Sequence, residues 1–147
     1  MTFEPKTLSF GNQTDWPEEV IIHTDGASKG NPGPASLGLT VSDLSDAVVF
    51  EYAESLGHQT NNFAEYTAVI RAFEFCVKNN VKKVILKSDS QLLIRQLNGQ
   101  YKVKSAVIIP LFQKSKVLLS QISKNELVHV RREFNVRADE LANQVLL

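Results

Sequence analysis

Four acidic residues stand where packing alone does not ask for an acid. Asp25 follows an apolar run and opens the stretch Asp25-Gly26-Ala27-Ser28-Lys29-Gly30-Asn31-Pro32-Gly33-Pro34. Glu65 lies in Thr60-Asn61-Asn62-Phe63-Ala64-Glu65-Tyr66, and Asp89 in Lys87-Ser88-Asp89-Ser90-Gln91. Asp139 sits in Asn135-Val136-Arg137-Ala138-Asp139-Glu140-Leu141-Ala142-Asn143. Taken singly, each has an ordinary explanation. Asp89 can cap a helix, and Asp25 can serve a turn before glycine. Glu65 and Asp139 border apolar helix faces, where an unpaired carboxylate is costly, although Arg137 is a possible partner for Asp139. Brought together, the four form an oxygen-rich cage for hard divalent cations and a phosphodiester. Such a cluster repels itself, so it needs cations to be stable.

The elements that position these acids follow from hydrophobic period. Residues 19–24 form a β-branched run that reads as a buried strand ending at Asp25. Residues 35–41 and 47–53 alternate in the same way around a turn-like Ser42-Asp43-Leu44-Ser45-Asp46, which suggests an antiparallel meander. The period then changes: Phe63, Tyr66, Val69, Ile70, Phe73 and Val77 recur at helical steps. Residues 83–86 read as a strand, 91–97 as a short helix and 107–122 as a second helical stripe with Pro110 near its start. A fifth strand over 127–130 and a last helix capped by Asn135 complete the order βββαβααβα. That order implies an α/β domain with a mixed sheet covered by helices. Residues 1–17 show no clear period and read as an N-terminal extension, a linker or an added edge segment; residues 18–147 form the domain.

Composition narrows the field. The 147 residues suffice for one domain with a real core. A formal net charge of zero argues against a nucleic-acid binder that works through its whole surface, but leaves room for local basic patches. Two candidates are Lys102, Lys104, Lys114 and Lys116, and Arg131, Arg132 and Arg137. The single Cys76 excludes an internal disulfide framework and suits a reducing cytoplasm. No apolar run is long enough to span a bilayer, and no basic-then-apolar secretory signal is visible, so a cytoplasmic location is expected.

In combination, these motifs resemble type 1 ribonuclease H. The resemblance covers roughly residues 19–146 and rests on Thr24-Asp25-Gly26-Ala27 with Gly30-Asn31-Pro32-Gly33-Pro34, on Thr60-Asn61-Asn62 with Glu65-Tyr66, and on Ser88-Asp89-Ser90-Gln91. Arg132-Glu133-Phe134-Asn135 with Ala138-Asp139-Glu140-Leu141-Ala142 closes the set. It implies a ribonuclease H-like fold, a five-stranded mixed sheet of order 3-2-1-4-5. It also implies endonucleolytic hydrolysis of the RNA strand of an RNA/DNA hybrid, leaving 5′-phosphate and 3′-hydroxyl ends. Two Mg2+ ions, with Mn2+ as a substitute, would be held by Asp25, Glu65, Asp89 and Asp139. By the resemblance Asp25 serves both ions, Asp139 the one that activates water, and Glu65 and Asp89 the one facing the leaving oxygen. Gly26, Asn31, Thr60, Asn61, Asn62, Ser90, Gln91 and Asn135 match substrate-binding positions, amides being suited to minor-groove edges and 2′-hydroxyls. A monomer is the simplest assembly.

The chain departs from the family pattern twice. The segment Val130-Arg131-Arg132-Glu133-Phe134-Asn135 is short and lacks the histidine that many bacterial relatives carry there. His129 is expected inside the last strand with a structural role, His23 and His58 are poor substitutes, and Arg131 or Arg132 is placed to bind phosphate. Residues 96–123 hold no basic, tryptophan-rich protrusion, as in the shorter archaeal and bacterial forms, so modest affinity and a shallow salt dependence are expected. Two other readings share the fold. A binding module would be favoured by loss of one acid, and all four are present. A four-carboxylate exonuclease normally carries a second acid two residues after the first, where this chain has Ala27.

Overall fold

The computed structural model describes residues 6–9 and 16–146. Its elements are β1 (Lys6–Ser9), β2 (Glu19–Ser28), β3 (Gly33–Ser42), β4 (Val48–Gln59), α1 (Asn61–Lys78), β5 (Lys83–Ser88), α2 (Gln91–Leu97), α3 (Ile108–Leu119), β6 (Lys124–His129), a 3-10 turn (Arg132–Phe134) and α4 (Val136–Leu146). They form one sheet of order β1-β4-β3-β2-β5-β6. From β2 onward this is the expected five-stranded mixed sheet: β2–β3 and β3–β4 pair antiparallel, while β2–β5 and β5–β6 pair parallel. The sixth strand comes from the N-terminal segment. β1 pairs antiparallel with β4, from Lys6 opposite Ala53 to Ser9 opposite Phe50.

Several boundaries differ from the sequence reading: β4 runs on to Gln59 rather than 53, α3 ends at Leu119 rather than 122, and β3 and β5 are each longer than expected. β2 does not stop at Asp25 but runs on to Ser28, because its pairing with β3 continues through Ser28 opposite Ala35. Asp25 therefore lies within a rigid ladder, and the connecting loop is only residues 29–32. The last strand begins at Lys124 rather than 127, since Lys83 opposite Lys124 starts the parallel pairing. Its first three residues are exposed, so the apolar signal is confined to its end.

Alternation along the strands sorts the helices to two faces. Val20, Ile22, Leu39 and Val41 enter one core with Tyr66, Val69, Phe73 and Cys76 of α1 and with Leu93, Ile108 and Leu119 from α2 and α3. Gly38, the neighbour of Leu39, points the other way and meets α4. A Cβ at Gly38 would lie 2.4 Å from the Ala138 carbonyl oxygen and 2.6 Å from the Ala142 nitrogen. On the first face, a Cβ at Gly26 would lie 2.3 Å from the Glu65 nitrogen. Two glycines thus let the helices that carry Glu65 and Asp139 settle directly on the strands beside Asp25, where any side chain would force them away.

Candidate active site

Asp25 rises from the middle of β2 and is only 8% exposed. Glu65 enters from the second turn of α1, whose start is set by the Thr60 side chain accepting from the Phe63 N–H at 3.2 Å. Asp89 follows β5, whose Ser88 hydroxyl accepts the Ser90 N–H at 3.1 Å. Ser90 in turn caps α2 by accepting from Leu93 N–H at 3.3 Å, and its hydroxyl lies near enough to Glu65 to favour the ionised carboxylate. Asp139 lies in the first turn of α4, where the helix dipole favours an acid. The four carboxylates line one open cleft of about 480 Å³.

Electrostatics mark this cleft as a place that seeks positive charge. Burial, a hydrogen bond with Asp139, and the charges of Asp89, Asp139 and Glu65 push the Asp25 carboxyl up to about 9. Glu65 rises to about 7, chiefly by burial, with the Ser90 hydroxyl opposing the shift and Asp89 adding to it. Asp89 is raised by burial as well, against the pull of the Arg132 charge and an Asn135 hydrogen bond. Among the described residues, no three His, Cys, Asp or Glu side chains are drawn together closely enough to hold one ion. The donor set itself, four carboxylates with the Asn61 amide and the Ser28 hydroxyl on the same wall, is oxygen-rich, as hard divalent cations require.

Gly26 and Asn61 line the cleft, as expected of substrate contacts. Asn31 lies at its rim, where its side-chain oxygen accepts the Asn61 N–H at 3.0 Å and ties the loop to α1. Thr60, Asn62, Ser90 and Gln91 sit at the starts of α1 and α2 near the cleft but outside its wall; Thr60 and Ser90 serve as caps. Asn135 lies behind the cleft wall, beside Asp89. It is 1% exposed, and its amide donates to the Thr24 carbonyl at 2.8 Å, so it pins the start of α4 to β2. Its side chain does not cap α4; only its carbonyl does, accepting the Asp139 N–H at 3.2 Å.

Ala27, Ser28, Val130 and Asn143 also line the cleft although none was marked as a site residue, and Arg132, expected to bind phosphate, lies there too. His129 does lie on the last strand, but it is exposed and lines the cleft beside Val130 and Arg132, which corrects its reading as structural. Asn143 lines the cleft one turn after Asp139 and donates to the Asp139 carboxylate at 3.2 Å; its i+4 spacing from an acid was the available clue. Arg137 turns away from the cleft. It forms a forked pair with Glu51, at 2.6 and 3.0 Å, and leaves Asp139 alone.

Comparison with known proteins agrees with this architecture. Residues 23–145 match the reverse transcriptase-like family. The chain is 36% identical over 142 residues to ribonuclease HI of Halobacterium salinarum, covering 97% of this chain and 71% of that protein. It is 35% identical over 129 residues to the bifunctional protein Rv2228c of Mycobacterium tuberculosis, covering 87% of this chain but only 35% of that one. The chain thus spans about a third of the length of its mycobacterial relatives. The crystal structure of the Halobacterium salinarum RNase H1 superposes with a TM-score of 0.84 at 36% identity, covering 87% of this chain and 97% of that one. LC11-RNase H1, a protein isolated from compost and solved in complex with an RNA/DNA hybrid, superposes with a TM-score of 0.80 at 39% identity over 85% of this chain and 94% of its own. The chain belongs to the reverse transcriptase-like family and, within it, to the type 1 ribonucleases H.

Proposed function

We propose that this protein is a divalent-ion-dependent endonuclease that hydrolyses the RNA strand of RNA/DNA hybrids and leaves 5′-phosphate and 3′-hydroxyl ends. The observation that carries this reading is the convergence of Asp25, Glu65, Asp89 and Asp139, from four separate elements, on one cleft, with no basic partner for Asp25 or Glu65 among the described residues. Their oxygens suit two Mg2+ ions, with Mn2+ as a substitute, which when bound would lower the pKa of water and offset charge on the phosphate. The chain's own contributions are positional. Burial fixes Asp25 on its strand, Ser90 orients Glu65, and the Arg132 charge at the cleft wall offers a phosphate a counter-charge beside Asp89.

Asn61 and Asn31, linked at the rim, present amides to the groove of the hybrid, with Thr60, Asn62, Ser90 and Gln91 flanking them and Gly26 leaving room at the cleft floor. The same reading takes residues 18–147 as the ribonuclease H domain and residues 1–17 as an extension that lends it the β1 edge strand. It takes the protein as a cytoplasmic monomer. A single, fully buried Cys76 is consistent with a reducing compartment, and no helix among the described residues is long and apolar enough to cross a membrane.

The test is incubation of an end-labelled RNA/DNA hybrid with the protein and Mg2+ or Mn2+, beside single-stranded RNA and duplex DNA. Internal cuts confined to the hybridised RNA, with fragments that accept ligation at a 5′-phosphate, are expected. A folded protein that binds the hybrid and never cuts it with either ion would instead be a binding module.

A further inference from the structure

Asn143 lies on α4 one turn beyond Asp139, exposed, at the wall of the cleft. Its side-chain nitrogen makes two bonds to one residue: to the Asp139 main-chain carbonyl at 2.9 Å and to the Asp139 Oδ1 at 3.2 Å. The first fixes the amide along the helix. The second uses the remaining proton to hold one carboxylate oxygen. No basic side chain among the described residues pairs with that carboxylate: Arg137, the nearest base in sequence, is committed to Glu51 and Glu140, and the other group that faces it is the Asp25 carboxyl.

This matters because of what faces Asp139. Asp25 stands within hydrogen-bonding reach of it. Once both are ionised they repel, and a half-buried aspartate with two rotatable bonds can swing out toward solvent. A neutral donor on the same helix opposes that swing without cancelling the negative charge that an ion requires. Outer hydrogen bonds of this kind orient carboxylate ligands of metals and tune their affinity.

We propose that Asn143 is a positioning residue for the ion-binding carboxylates: its amide holds one Asp139 oxygen and leaves the other to the cleft beside Asp25. The inference rests on the function proposed above and assigns this chain a determinant of ion affinity outside its four acids.

Calorimetric titration with MnCl2 alone, without nucleic acid, tests it on the wild type, Asn143→Leu and Asn143→Gln. Leucine keeps the approximate volume and removes the donor; glutamine keeps an amide. The Leu variant is expected to bind Mn2+ about 10- to 100-fold more weakly, with the Gln variant closer to the wild type. Ion-free unfolding of all three should coincide, because the position is exposed. Equal Mn2+ affinity in the wild type and the Leu variant would overturn the inference and leave the proposed function standing. A wild type that binds no Mn2+ and cuts no hybrid would overturn both.

Discussion

Buried acids occur in two settings in this protein, and the difference separates structure from chemistry. On β4, Glu51 and Glu54 are both shielded from water, yet each is satisfied. Glu51 receives the fork of Arg137, and Glu54 receives the Arg71 guanidinium at 2.7 and 3.2 Å together with the Tyr52 hydroxyl at 2.7 Å. For Glu54 these partners outweigh the burial that opposes them and hold its carboxyl below the usual range. Asp25 and Glu65 are shielded too but have no basic side chain paired with them among the described residues, and both are pushed upward. An acid that packing merely tolerates comes with its arginine. An acid kept for an ion is left without one, and the fold carries the cost.

Removing one acid from each setting should expose this contrast. Glu65→Gln should leave folding intact or slightly improved while reducing hybrid cleavage by about 10²-fold or more, roughly 3 kcal/mol of barrier. Matched unfolding curves and single-turnover cleavage would check both halves. Glu51→Gln should do the opposite. It weakens the charged hydrogen bonds to Arg137 and costs about 1–3 kcal/mol of stability, seen in urea unfolding, while the folded fraction cleaves at the wild-type rate. Equal losses of activity in the two variants would erase the distinction.

Smaller effects sharpen it. Arg132→Ala should weaken hybrid binding about 10-fold and lower the slope of log affinity against log salt by about one, as for a single phosphate contact. Stability against pH should also reveal the unpaired acids. Asp25 goes from an ordinary 3.8 to about 9 on folding, and Glu65 from 4.5 to about 7. Between those limits the folded chain binds more protons than the unfolded one, so ion-free stability should fall as pH rises from about 4 to about 9. Added Mn2+ should flatten or reverse that fall, because it favours the ionised carboxylates. Thermal unfolding across this range, with and without Mn2+, measures it.

The acids were legible because each interrupts a strong local pattern: Asp25 and Asp89 close β-branched runs, and Glu65 and Asp139 crowd the apolar stripes of helices. The core of α1 was legible for the same reason, its apolar residues recurring every three or four positions. What remained hidden depends on contacts between distant segments. Glu51 and Arg137 are 86 residues apart, so nothing local diverts Arg137 from Asp139. Asn135 sits in a motif of apparent substrate contacts, and only the seating of α4 on β2 turns its amide toward Thr24. Gly38 reads as one more small residue in a strand, yet it is where α4 lands. Strand pairing likewise carries β2 past Asp25 and brings β1 to the sheet edge, because a ladder is set by its partner as much as by its own residues.

The central claim is that the unpaired carboxylates are an ion-dependent phosphodiester site, and Asp25→Asn tests it most directly. The substitution keeps the shape of the most buried member and removes its charge. The variant is expected to fold at least as well as the wild type in ion-free buffer at pH 8. Its cleavage of an RNA/DNA hybrid in Mg2+ or Mn2+ is expected to fall by about 10³-fold or more, some 4 kcal/mol of barrier. Cleavage by rigorously purified Asp25→Asn protein at near the wild-type rate would contradict it and place the chemistry elsewhere on the molecule.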